Sequence, residues 1–71
     1  GKDSYLNQKL AKKHAELGDL YLVHNMFREA AEEFAKASRL VPDAADYTLK
    51  LGECHLKLKN DTQAIDVFEK A

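Results

Sequence analysis

The chain has 71 residues, 45% of them apolar and 32% charged, with a mean hydropathy of −0.52; this supports one small globular core and excludes an apolar membrane-spanning segment. Eleven basic against twelve acidic residues give a formal charge of −1, so no net field draws the chain to nucleic acid or to a membrane surface, and neither is expected as a partner. The single Cys54 has no internal bridging partner, which favours a reducing compartment, cytoplasmic or nuclear.

A chain this short buries only roughly 60% of the surface its unfolded form exposes, so marginal stability is expected. No charged stretch followed by an apolar one opens the sequence, as a secretory signal would require.

Asp3 or Ser4 is expected to cap a first helix over about residues 4–23, with Leu6, Leu10, Leu17 and Tyr21 stepping along one face. Asn25 is the expected N-cap of a second helix, about 26–40. Its apolar side carries Phe27, Ala30, Ala31, Phe34 and Ala37, and Glu29, Glu32, Glu33 and Lys36 are expected mostly on the solvated side. Glu32 and Lys36, one turn apart, add a few tenths of a kcal/mol at most. Pro42-Asp43 ends that helix and starts a third, over about 44–58. Asn60 with Gln63 has capping-box spacing and predicts a fourth helix along Ala64, Ile65 and Phe68.

The elements repeat. Leu17-Gly18, Ala30, Phe34 and Ala37 recur in the same order and at the same spacing as Leu51-Gly52, Ala64, Phe68 and Ala71. A self-similar period of this length marks a solenoid, in which each unit buries its apolar face on its neighbours. Glycine inside a helix costs roughly 1 kcal/mol relative to alanine. Its recurrence at one fixed spacing before Ala30 and again before Ala64 predicts close helix packing within each hairpin.

Leu17-Gly18-x-x-Tyr21, then Ala30, Phe34 and Pro42, resembles the tetratricopeptide repeat, whose pattern runs W-x2-L-G-x2-Y, A-x3-F, P at the period seen in this chain. On that resemblance residues 11–44 form one repeat, 45–71 a second that stops short of its proline, and 1–10 extend the first helix. His14 and Thr48 stand at the tryptophan position and His55 at the second tyrosine position, where it is expected to pack in the tyrosine's place.

The resemblance implies an all-α fold of antiparallel helix-turn-helix hairpins stacked as a right-handed α-solenoid. It implies a scaffold rather than an enzyme, holding a peptide or helix segment of a protein partner in a concave groove. Carried over by position, the groove would present Lys12, Glu16, Asp19, Leu22 and Val23 from the first repeat, with Ala15. The second would present Asp46, Leu49, Lys50, Glu53, Leu56 and Lys57. Asp19 and Glu53, at equivalent positions, would form an acidic rung for a Lys or Arg of the partner; Leu22, Val23, Leu49 and Leu56 would supply an apolar floor.

The clamp with which some family members hold the acidic tail of a heat-shock chaperone needs Lys and Asn where this chain has Ala15, Asp19 and Lys50. Its second basic pair falls on Lys12 with Glu16, or on Asp46 with Lys50. Chaperone tails are therefore disfavoured for these two repeats. The alternative role is structural, a solenoid segment serving self-assembly or packing within a larger protein. An incomplete second repeat would leave Leu49, Leu56, Ile65 and Phe68 partly exposed and open to self-association.

His14, His24, Cys54 and His55 lack metal-ligand spacing, so no metal or cofactor is expected, and Cys54 reads as a small core residue. No phosphate loop, nucleophile elbow or catalytic carboxylate pair can be assembled.

Overall fold

The computed structural model describes the backbone of residues 2–70 and the side chains of residues 4–60. Three helices follow one another: α1 (Lys2–Val23), α2 (Phe27–Leu40) and α3 (Ala45–Lys70), with no strand among the described residues. The middle helix carries the core, because α2 packs against α1 on one side and α3 on the other. The Cα radius of gyration is 14.5 Å and the longest dimension 56 Å, whereas a compact chain of this length would have a radius near ~11 Å. The helices form an open stack, as a repeat architecture requires.

Small residues set how closely α1 and α2 approach. Ala11 and Gly18 of α1 are buried, with His14, Ala15, Tyr21 and Leu22 half-buried beside them, facing Ala30, Phe34 and Ala37 of α2. The predicted stripe of Leu6, Leu10, Leu17 and Tyr21 is thus corrected: the three leucines are exposed and only Tyr21 joins the packed face. Where alanine and glycine line the contact the backbones come close, and bulky leucines at those positions would hold them apart. α1 also begins at Lys2, so Asp3 and Ser4 both lie inside it rather than capping it.

The turn after α1 is a Schellman motif. Met26 N–H donates to the Tyr21 carbonyl at 2.9 Å and Asn25 N–H to the Leu22 carbonyl at 3.0 Å, while Asn25 takes the left-handed conformation at φ 59°. Asn25 therefore closes α1, whereas the sequence predicts it as the N-cap of α2. That cap position falls to Met26, which makes no side-chain capping bond.

Val41 closes α2 through its N–H to the Ala37 carbonyl, and Pro42-Asp43 forms the turn into α3. The Ser38 and Thr48 hydroxyls hydrogen-bond across that turn at 3.2 Å. α3 then runs 26 residues without a break, so the predicted fourth helix is a continuation of the third. The local chemistry explains this. The left-handed residue of the first turn is Asn25, and the equivalent position of the second repeat holds Lys59, for which that conformation costs about 1–2 kcal/mol. No glycine or proline lies between Gly52 and Lys70 to interrupt the helix. The side chains of Gln63, Ala64, Ile65 and Phe68 lie outside the described residues.

The two repeat glycines consequently differ. A Cβ built on Gly18 would lie 2.8 Å from the tip of the Phe34 ring, whereas one on Gly52 would meet nothing within 4 Å. Among the described residues, the close packing predicted at both positions exists only at Gly18.

Candidate functional site

α1 and α3 flank α2 and, among the described residues, meet across one ion pair. Lys50 Nζ donates to Asp19 Oδ1 at 2.5 Å, joining two helices that are remote in the chain. The same ammonium lies 5.6 Å from the centre of the Phe34 ring, so α1 and α2 each contribute one group to the surroundings of a lysine on α3. Both partners of the pair are substantially solvent-exposed, and such a pair contributes at most about 1 kcal/mol. Its value is positional, since it fixes the side chains at the mouth of a cleft.

That cleft, about 230 Å³, is lined by Ala15 and Asp19 from α1 and by Asp46, Tyr47, Leu49, Lys50 and Glu53 from α3. Positions 46, 50 and 53 recur one helical turn apart and so stand on one side of α3. Three carboxylates against one ammonium leave the cleft net acidic, with Tyr47 and Leu49 as its apolar wall.

Six of the predicted groove residues line this cleft: Ala15, Asp19, Asp46, Leu49, Lys50 and Glu53. The other six lie elsewhere. Lys12 and Glu16 border a separate depression on α1 with Lys9 and Lys13, Leu22 packs against the core, and Val23 is exposed near the end of α1. Leu56 is exposed further along α3, and the Lys57 ammonium sits 5.4 Å from the centre of the Phe27 ring. The predicted acidic rung is altered as well: Asp19 is already paired with Lys50, which leaves Glu53 as the carboxylate of the rung open to a partner. Tyr47 is an addition to the predicted set; its position one turn before Lys50, on the same face, was the available signal.

A second polar cluster, His14, Glu33 and Lys36, joins α1 to α2. The His14 imidazole Nδ1 is 2.8 Å from Glu33 Oε1, and the Lys36 ammonium donates to Glu33 Oε2 at 3.4 Å. Glu33 is only 7% exposed, contrary to its expected place on the solvated face, and Lys36 pairs with it rather than with Glu32. Burial pushes the Glu33 carboxyl up, and the hydrogen bonds from His14 and Lys36 more than offset this, leaving it below the ordinary carboxylate value. Such an arrangement is structural: both oxygens of a buried carboxylate are satisfied, and His14 fills the tryptophan position of the motif with a polar tether.

Cys54 is fully buried. Burial, with Glu53 alongside, pushes its thiol above the ordinary value, which makes it an inert packing group. His55 is exposed, so the expectation that it packs in the tyrosine's place is corrected; α3 continues past it, and among the described residues no returning helix covers it. Among the described residues no three His, Cys, Asp or Glu side chains gather as a metal site, and no helix there is long and apolar enough to cross a membrane.

A family model for the tetratricopeptide repeat matches residues 15–71. No curated protein and no solved structure matches the chain.

Proposed function

The chain belongs to the tetratricopeptide repeat family, whose repeats generally mediate protein–protein interaction, and from that premise we propose that its acidic cleft between α1 and α3 receives a basic peptide segment of a partner protein. The observation that carries this reading is the composition of the cleft: Asp19, Asp46 and Glu53 surround one lysine, with Tyr47 and Leu49 beside them. A Lys or Arg of the partner would pair with Glu53 and Asp46, and an apolar side chain one or two residues away would lie on Tyr47 and Leu49. Heat-shock chaperone tails, being acidic, fit this charge poorly, and the role is that of a scaffold rather than a catalyst. A structural role within a longer solenoid is the second reading, favoured by the exposure of Leu49 and Leu56 along α3.

The test is selection of displayed random peptides on the wild-type chain, followed by titration of selected peptides against a folded Asp46→Lys, Glu53→Lys variant. Enrichment of Lys or Arg, with binding lost in the variant, supports the cleft reading. Selected peptides without basic residues, or binding that survives the double charge reversal, would overturn it.

A further inference from the structure

The geometry points to the outer face of α1 as a self-association surface on which a second copy of this chain docks its own α1 antiparallel. Leu6, Leu10, Lys13, Leu17 and Leu20 follow one another at alternating spacings of four and three, the seam of a two-stranded coiled coil. The four leucines are 60%, 50%, 39% and 56% exposed, and no element among the described residues covers them. The seam is turned roughly 100–140° round α1 from Ala11 and Gly18, which face α2. Asp19, two positions beyond Leu17, points about 160° away from it, so the cleft and the seam can be occupied together.

The surface also has the relief that such docking needs. Leu6, Lys9, Leu10 and Lys13 ring a shallow apolar depression of about 320 Å³. These are residues i, i+3, i+4 and i+7, the four that form the hole receiving one knob from a facing helix. With the two-fold axis at Lys13, Leu6 lies opposite Leu20 of the second copy and Leu10 opposite Leu17, which enters this hole.

Charge selects the partner and the direction. In the antiparallel arrangement Lys9 flanks the seam opposite Glu16 of the second copy, and symmetry repeats the pair, giving two complementary contacts. In a parallel arrangement Lys9 would face His14 and Glu16 would face Tyr21, with no such pairing. Lys13 meets its twin at the axis, where its stem covers leucine surface while the ammonium turns to water; this limits the affinity. α1 is already held helical by α2, so docking carries little ordering cost.

Sedimentation equilibrium of the whole chain from about 1 to 300 µM tests this, with circular dichroism showing that each variant is folded. A small interface of this kind predicts a reversible dimer with a Kd in the range of roughly 10–100 µM. Lys9→Glu and Glu16→Lys should each weaken it about tenfold at low salt, and the double variant should return to within about threefold of wild type. Leu10→Glu, outside the α1–α2 contact, should leave a folded monomer. A wild-type chain monomeric throughout would overturn the proposal. A double variant no better than the singles would overturn it equally, as non-specific apolar association.

Discussion

The ring of Phe34 fills the space a side chain at Gly18 would need: a Cβ there would lie 2.8 Å from Cζ and 2.9 Å from Cε1. Phe34 is fully buried between α1 and α3, so the ring has little room to retreat. Gly18→Ala should therefore cost about 1–2 kcal/mol through overpacking, despite alanine's better helix propensity. Gly52→Ala, with open space around it, should gain about 0.5–1 kcal/mol. Urea melts of both variants check the pair, and shifts of equal sign would refute the asymmetry.

Phe34 itself is the largest fully buried side chain among the described residues, in a core otherwise made mainly of alanine. Phe34→Ala should cost about 3–5 kcal/mol, a large part of the stability of so small a chain. Loss of the cooperative thermal transition is the expected readout.

The Glu33 carboxyl, held below its ordinary value by His14 and Lys36, contributes stability that is present above the unfolded-state pKa. It is lost as pH falls through the lower folded-state value. Glu33→Gln should be less stable than wild type at pH 7, by about 1–3 kcal/mol for the broken buried bonds. The gap between the two proteins should narrow from about pH 5 downward, as the unfolded carboxyl protonates first. Denaturant melts at stepped pH test this; a gap that widened on acidification would contradict it.

Asn25 at φ 59° is the one non-glycine residue in the left-handed region among those described. Asn25→Gly should be tolerated within a few tenths of a kcal/mol and Asn25→Val should cost more than about 1 kcal/mol, since a β-branched side chain disfavours this conformation. Lys59→Asn, at the equivalent position of the second repeat, should increase bending near that residue, measurable as altered amide hydrogen exchange in α3.

Cys54, buried and with its thiol pushed above the ordinary value, should react with a thiol reagent at neutral pH only through unfolding. Its labelling rate should then rise with urea in parallel with the loss of helicity.

The regular recurrence of Leu-Gly, Ala and Phe was sufficient to identify the repeat family, and in the first unit Gly18, Ala30 and Phe34 do need a particular size where α1 meets α2. The same pattern did not place the helices of the second unit, where Gly52 meets nothing within 4 Å. The boundaries at Leu40 and Pro42 were equally legible, since proline acts on its immediate neighbours. Local spacing could not determine which face of α1 would be covered. Leu6, Leu10 and Leu17 make the stronger apolar stripe, yet the alanine and glycine face lies inward because only it admits the Phe34 ring. Nor could spacing reveal that Glu33 is buried, for its partner His14 stands on another helix, well outside the reach of any local pattern. The cleft depends on tertiary structure most of all: Asp19 and Lys50 are ordinary surface charges in the sequence, and they become one site only because α2 holds α1 and α3 at the distance of a single ion pair.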